Sequence, residues 1–336
     1  DLEVLNLLCS INKSNIKNKL SLIDGNFAIY VKTKNYSFAF VDRISSFPLL
    51  FSIRNNKICI SDNGKVIKEY LKIKNTDVNL HVAKSFAMSG YTIDKFTLFK
   101  SVLSFSPGEY LWIENNKYFF KKYYEWKPWR EYDYKFNSKV KLLKLNEKII
   151  KKLIKSVNNR QIIIPLSAGW DSRFIVSGLK HFGYKNVICV SYGKSNNTDM
   201  LIAKKIANKL GYKWIKLVYE TETIKKLYYS KKYKHYEDYC DNLNSIHFIS
   251  EYFMIYELKN RGMIDNDAIF VNGQSGDFIS GNHIPKSIDN RTTSIKPIIN
   301  EYIKKHNKYW DTLLNKKYID IVTRLLTDQI NSILNQ

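Results

Sequence analysis

The stretch Gln161-Ile162-Ile163-Ile164-Pro165-Leu166-Ser167-Ala168-Gly169-Trp170-Asp171-Ser172 decides how the second half of the chain folds. Gln161–Leu166 is an apolar run of strand length, as expected for a strand covered on both faces of a parallel sheet. Small residues follow at 167–169, and Arg173–His181 then reads as a helix stopped by Gly183. In open α/β sheets ligands sit at the carboxyl ends of strands, beside the N-termini of the helices that follow. Ser167–Ser172 lies at that place. Its small residues let backbone N–H groups approach a polyphosphate, its two serines add hydroxyl donors, and the helix N-terminus adds partial positive charge. Asp171 would repel a phosphate on its own; beside one, its role would be to hold Mg²⁺. The same six residues also fit a plain strand–turn–helix with Asp171 or Ser172 as N-cap. Taken alone they support both readings equally. They do not form a Walker loop, because GxxxxGK[ST] is missing.

Working outward, the helical spacing of Val140, Leu143, Ile149, Ile150, Leu153 and Ile154 places a helix before this strand. Val187–Ser191 reads as a second strand, Asp199–Leu210 as a helix with Gly211 past its end, and Trp214–Val218 as a third strand. Asn242–Lys259 reads as a long helix ended near Gly262, and Ala268–Val271 as a fourth strand. Alternating short apolar strands and helices indicate an α/β fold, a doubly wound parallel sheet. The fourth strand runs into Asn272-Gly273-Gln274-Ser275-Gly276-Asp277-Phe278-Ile279-Ser280-Gly281. This second Gly/Ser-rich loop puts Asp277 at another strand's carboxyl end, where it and Asp171 could share one Mg²⁺–phosphate ligand. Asp277 as a mere helix cap is the weaker reading, given the glycines around it. The second loop therefore favours the phosphate cradle.

The first ~118 residues follow another period. Leu2–Cys9 has a short helical pattern, and Asn26–Lys32 and Tyr36–Val41 alternate apolar with polar residues. Leu49–Ile53 and Lys57–Ser61 flank a turn at Arg54-Asn55-Asn56. Ser106-Pro107-Gly108-Glu109 is a turn signal leading into Tyr110–Glu114, and Tyr118–Lys121 follows after Asn115-Asn116. This predicts a mostly antiparallel α+β module. Tyr123–Phe136, aromatic and charged, reads as a linker. The expected division is 1–122, a linker at 123–137, and 138–336. No internal repeat or low-complexity segment interrupts it.

The 336 residues suffice for two domains, and 44% hydrophobic with 25% charged residues describes a soluble globular protein with real cores. No apolar run approaches the ~18–20 residues needed to span a bilayer, and the N-terminus carries no secretory signal pattern. Cys9, Cys59, Cys189 and Cys240 are scattered without a CxxC pair, and the six histidines form no HExxH. They read as reduced, mostly buried thiols of a cytoplasmic protein without a transition metal. The net charge of +23 would attract nucleic acid without any specific site. The excess is nearly all Lys, spread along the chain without a basic tail, which reads as compositional bias; nucleic-acid binding is the minority reading.

In the order and spacing of these stretches the sequence resembles the asparagine synthetase family, glutamine-dependent enzymes with an N-terminal glutaminase domain and an ATP-pyrophosphatase synthetase domain. That family's SGGxDS loop is similar to Ser167–Ser172, with Ala168 in place of the first Gly; its SGEGSDE loop is similar to Asn272–Phe278. Val190-Ser191-Tyr192-Gly193 through Asp199–Gly211 resembles the strand and acidic-start helix between them. Upstream, Asp1-Leu2-Glu3-Val4, Asp24-Gly25-Asn26-Phe27-Ala28, Asp42–Leu49 and Ser106-Pro107-Gly108 resemble the C-terminal half of the glutaminase domain. The likeness runs from residue 1 to about 285. It implies that 1–122 is the C-terminal part of a class II glutamine amidotransferase-like domain, and 138–336 a C-terminally truncated ATP-pyrophosphatase domain.

The resemblance implies ATP and Mg²⁺ as cofactors. It assigns Ser167, Ala168, Gly169 and Ser172 to pyrophosphate, Asp171 and Asp277 to Mg²⁺, Leu166 and Tyr192 to adenine and ribose, Gly193 to the ATP or pyrophosphate site, and Asn272 and Gly273 to the ribose or α-phosphate. Asp1 would match the acidic residue of the glutamine pocket. The family's N-terminal Cys nucleophile and its synthetase Lys find no match, so no catalytic residue is assigned; Cys9 lacks the free α-amino group that would serve as base. Expected partners are small molecules (ATP, an acceptor carboxylate, glutamine or ammonia), with no membrane and a homodimer compatible. Gln274 and Phe278 stand where the family has acidic residues, and His283 where it has Tyr. These departures put aspartate as acceptor in doubt and open the pocket to another acid such as a sugar uronate. The alternatives are a tRNA-modifying ATP-pyrophosphatase of thiolation or lysidine type and a degenerate, non-catalytic relative.

Overall fold

The alternation read in Tyr36–Val41 sorts side chains into two cores. In the computed structural model, which describes residues 2–54, 57–126, 138–195, 197–285, 287–288, 294–307 and 316–334, this stretch is a strand whose odd and even residues face different layers. Two compact units are present: Asp1–Arg130 with Tyr236–His247 and Ile288–Gln336, and Glu131–His235 with Phe248–Ser287.

The first unit opens with α1 (Leu2–Cys9) and α2 (Ile16–Leu22). It continues through β1 (Ala28–Lys32), β2 (Tyr36–Val41), β3 (Leu50–Arg54), β4 (Lys57–Ser61), α3 (Gly64–Tyr70), α4 (Leu80–Ser89), β5 (Leu103–Ser104), β6 (Glu109–Glu114) and β7 (Lys117–Lys122). Two antiparallel sheets result, in the orders β1-β2-β6-β7 and β4-β3-β5. Phe38, Phe40, Tyr110 and Trp112 point from the first sheet onto Leu8, Ile16 and Leu20 of the two helices. Ala39, Val41 and Leu111, on the opposite face, pack with Phe51 of the second sheet and with Leu49 and Phe105, which flank its strands. Stacking of Trp112 on Tyr36, with ring centroids 4.5 Å apart, ties β2 to β6 beyond the ladder itself. The turn at Asn55-Asn56 lies outside the described residues.

The second unit contains α5 (Ser138–Val157), β8 (Ile162–Pro165), α6 (Trp170–His181), β9 (Val187–Gly193), α7 (Thr198–Leu210), β10 (Lys213–Val218) and α8 (Thr221–Tyr228). The start of α9 (Lys231–Cys240), then α10 (Ile249–Asn260), β11 (Ile269–Phe270) and α11 (Gly276–Ile279) complete it. All four strands are parallel, in the order β10-β9-β8-β11. Ile162, Ile164 and Cys189 face Val176, Leu179, Ala203 and Ala207 of α6 and α7. Ile163, Ile188 and Val190 face Met254 and Leu258 of α10 on the other side. A run buried on both faces is what the apolar Ile162–Ile164 requires. The doubly wound sheet and the mostly antiparallel module are both as expected.

Several boundaries differ. The helix expected from Asn242 begins at Ile249, because the backbone before it pairs within the first unit: Leu98 N donates to Leu243 O (2.8 Å), Thr92 N to Asn244 O (2.7 Å) and Ile246 N to Gly90 O (2.8 Å). Residues 236–247 and 288–336, expected inside one domain 138–336, are grouped with the first unit. There α12 (Ile295–His306) and α13 (Lys316–Leu334) bury Ile299, Ile303, Val322 and Leu326 on Met88 and Ile93. Tyr123, expected in the linker, is buried, and its hydroxyl donates to Val41 O (2.8 Å); linker residues 127–137 lie outside the described residues.

The cysteines are free but not mostly buried: Cys9 is exposed and Cys59 and Cys240 are half-buried. Cys189 is fully buried in β9, and burial pushes its thiol up to about 12. A neutral, inaccessible thiol does not react. Alkylation of the native chain is therefore expected to label Cys9 and spare Cys189 until denaturant is added. Labelling of Cys189 at the rate of Cys9 would contradict the sheet packing. No described helix is long and apolar enough to cross a membrane.

Candidate functional site

The end of β8 is fixed before the loop begins. Leu166 N donates to Val190 O (2.8 Å), and Leu166 O accepts from Ser191 Oγ (2.7 Å), which in turn accepts from Trp214 Nε1 (3.0 Å). Leu166 is buried in the core, so it forms the floor of the loop. Beyond it, Ser167 N donates to Ser172 Oγ (3.3 Å), the two serine hydroxyls lie 3.2 Å apart, and Gly169 N donates to Ser167 Oγ (3.1 Å). Gly169 is the N-cap of α6, extended and without a side chain to cap the helix. Asp171 and Ser172 lie inside the first turn, so neither is the N-cap that the plainer reading required. The uncapped N-terminus of α6 keeps its partial positive charge at the loop.

Strand order brings the second loop here. Between β8 and β11 the sheet reverses its direction of winding, with α6 and α7 on one face and α10 on the other. The loops after these two strands diverge from one crevice, the place where such sheets bind ligands. Contact is backbone to backbone: a Cβ on Gly273 would stand 2.6 Å from Ser172 N and 2.8 Å from the carbonyl carbon of Asp171. A Cβ on Gly276 would fall on the Asp171 carboxyl group. Asn272 Oδ1 accepts from Gln274 N (3.3 Å) and Gly273 O from Gly276 N (3.0 Å), which shapes the turn. Asp277 follows in the short α11, and its Oδ1 accepts from Asn282 Nδ2 (2.7 Å). The rings of Phe278 and His283, two of the departures from the family pattern, lie 6.4 Å apart.

Tyr192 and Gly193 end β9, next to β8 in the sheet. Tyr192 stacks on Tyr219 (5.5 Å); burial and then the charge of Glu251 raise its phenol above the usual range. Among the described residues no group of three or more His, Cys, Asp or Glu converges on one point. Asp1 lies outside the described residues. Arg173 carries no signal in the sequence pattern, yet its Nη2 donates to Ala168 O (2.7 Å), and its guanidinium lies 4.7 Å from the Trp170 ring centroid. A helix residue reaching back over the loop that precedes it leaves no mark in residue spacing.

In the first unit the buried Asp42 organises the turn after β2. Its carboxylate accepts from the backbone N–H groups of Phe27 (3.0 Å), Ile44 (2.9 Å) and Ser46 (3.0 Å), and from Ser46 Oγ (3.2 Å). A cavity of about 1040 Å³ lies beside it, lined by Phe27, Tyr30, Phe47, Ile58, Ile60 and Ile113 among others. Residues 1–124 match the family model described as a glutamine amidotransferase domain. No curated protein matches the chain. Among solved structures, an NH3-dependent NAD synthetase from Campylobacter jejuni is 11% identical over 59% of this chain and 96% of its own, with a TM-score of 0.32. A glutamine phosphoribosylpyrophosphate amidotransferase from Bacillus subtilis is 12% identical over 72% and 68%, with a TM-score of 0.27. An allosteric regulatory enzyme of purine biosynthesis is 11% identical over 64% of this chain, which spans 52% of it, with a TM-score of 0.26.

Proposed function

We propose that this chain carries the machinery of an ATP-dependent amidotransferase of asparagine synthase type: its second unit adenylates a carboxylate, and ammonia derived from glutamine turns the product into an amide. The observation that carries the reading is the contact of Gly273 and Gly276 with Asp171 and Ser172 at the switch point of the sheet. The glutamine amidotransferase match over 1–124 supports the ammonia side.

In the proposed first step an acceptor carboxylate oxygen attacks the α-phosphorus of ATP, and pyrophosphate leaves. In the second, ammonia attacks the acyl carbonyl, AMP leaves with the bonding electron pair, and a proton is lost from nitrogen. Negative charge builds on phosphoryl oxygens, so preorganised donors are the main device. Ser167, Ser172 and the backbone N–H groups at the start of α6 would face the pyrophosphate, with Ala168 taking part through its backbone. Tyr192, Gly193, Asn272 and Gly273 would border the nucleoside and the α-phosphate. The oxygen donors of Asp171 and Asp277 fit Mg²⁺, which is commonly held by one or two carboxylates with phosphate oxygens completing the shell; when bound it would neutralise the departing pyrophosphate. Gln274, Phe278 and His283 in place of the family's residues favour an acceptor other than aspartate, such as a sugar uronate.

The test is ATP–pyrophosphate exchange by this chain with aspartate and with hexuronates as acceptors. Exchange is expected with a uronate, and Asp171→Asn is expected to lower it about a hundredfold. Exchange with aspartate alone would overturn the acceptor assignment; absence of ATP binding would overturn the reading as a whole.

A further inference from the structure

Resting on that reading, we propose that Arg173 is a positioning residue for the phosphate-facing loop: it holds the Ala168–Gly169 peptide plane so that no carbonyl oxygen faces the bound anion. The plane is held at both ends. Its carbonyl, Ala168 O, accepts from Arg173 Nη2 at 2.7 Å, and its amide, Gly169 N, donates to Ser167 Oγ at 3.1 Å. In a trans peptide the C=O and N–H point in opposite directions, so drawing the oxygen towards α6 sends the amide to the serine side of the loop. Were the plane to flip, an oxygen would replace an N–H beside the pyrophosphate, and attraction would become repulsion.

The fixing of the guanidinium argues for a purpose beyond satisfying one carbonyl. Ala168 is half-buried, so water could satisfy its oxygen. Arg173 nevertheless keeps its Nε buried without a hydrogen-bond partner, which disfavours the arrangement unless something else is gained. Trp170 is 78% exposed, yet its ring lies against the guanidinium at 4.7 Å. An exposed indole adds little core; here it supplies a platform that holds the planar fork in one orientation. Arg173 also places a permanent positive charge behind the loop.

The experiment is calorimetric titration of the whole chain with inorganic pyrophosphate, ATP and adenosine, each with Mg²⁺. Arg173→Gln is expected to weaken pyrophosphate and ATP about tenfold while adenosine binding stays unchanged. Arg173→Lys, which restores charge and a donor without the fork, should recover about half of that loss on a logarithmic scale. Trp170→Ala, a surface change that leaves the core intact, should weaken pyrophosphate about threefold. Pyrophosphate bound by Arg173→Gln as tightly as by the wild type overturns the proposal. So does an equal loss for adenosine, which would mark a general structural role. A wild-type chain that binds none of the three probes overturns the ATP reading, and this inference with it.

Discussion

Gly273→Ala is expected to abolish detectable ATP binding and to destabilise the second unit by about 3 kcal/mol. A Cβ at this position would stand 2.6 Å from Ser172 N and 2.8 Å from both the carbonyl carbon and Cβ of Asp171. Two of those atoms are backbone, belonging to the first turn of α6, and they cannot rotate away. Ser172 is buried and its hydroxyl is engaged with Ser167, so α6 cannot retreat without breaking the loop after β8. The remaining course is for the loop after β11 to move out, which opens the crevice. Gly276 makes the comparison informative, because the atoms nearest its added Cβ belong to the Asp171 side chain, whose carboxyl group can rotate away while its Cβ, 2.8 Å off, still has to give. The cost at Gly273 should therefore fall on both stability and binding. Urea unfolding followed by tryptophan fluorescence, with ATP titration of the folded variant, measures both. A variant with the wild-type midpoint and wild-type affinity would show that the two loops do not meet in solution.

The parts of this site that the sequence made legible are those encoded within one element. Ile162–Ile164 is apolar on both faces, so its burial between two helix layers followed from composition. The sequence pattern starts α6 only at Arg173, three residues after its first turn begins, because Trp170 to Ser172 carry no apolar period; the uncapped Gly169 is visible only in the backbone. The pattern extends the helix back over Asn242–His247, where the backbone instead bonds to Gly90, Thr92 and Leu98, some 150 residues earlier in the chain. The approach of Gly273 to Asp171 depends on β11 adding beside β8, which neither loop's spacing encodes. Arg173 leaves no signal for a different reason: its partner is a backbone carbonyl five residues earlier, and carbonyls have no signature in a sequence. Sequence pattern thus revealed which residues are small or acidic, while strand order determined which of them meet.

The second large effect is expected in the first unit, where Asp42→Ala should destabilise the fold by about 4 kcal/mol. Asp42 is 2% exposed, and its carboxylate accepts from three backbone N–H groups, on Phe27, Ile44 and Ser46, and from the Ser46 hydroxyl. Truncation leaves those donors facing a small void too enclosed to restore them all to water, and an unsatisfied buried donor costs about 1–3 kcal/mol. The backbone of Asp42 adds leverage: its N donates to Phe27 O (3.0 Å), and its O accepts from Ser45 N (3.1 Å) and Gly108 N (3.0 Å). One residue thus joins the start of β1, the end of β2 and the turn before β6. Asp42→Asn is the sharper variant, since it keeps the volume but places an NH₂ where only acceptors are wanted. One of the backbone donors then faces another donor, and the loss should approach that of alanine although no cavity forms. Denaturant unfolding of both variants decides the point: a loss near 4 kcal/mol for alanine with asparagine close behind identifies hydrogen-bond acceptance as the cause. If asparagine instead matched the wild type, side-chain volume would explain the site, and Asp42 would lose its place as the electrostatic centre of the turn.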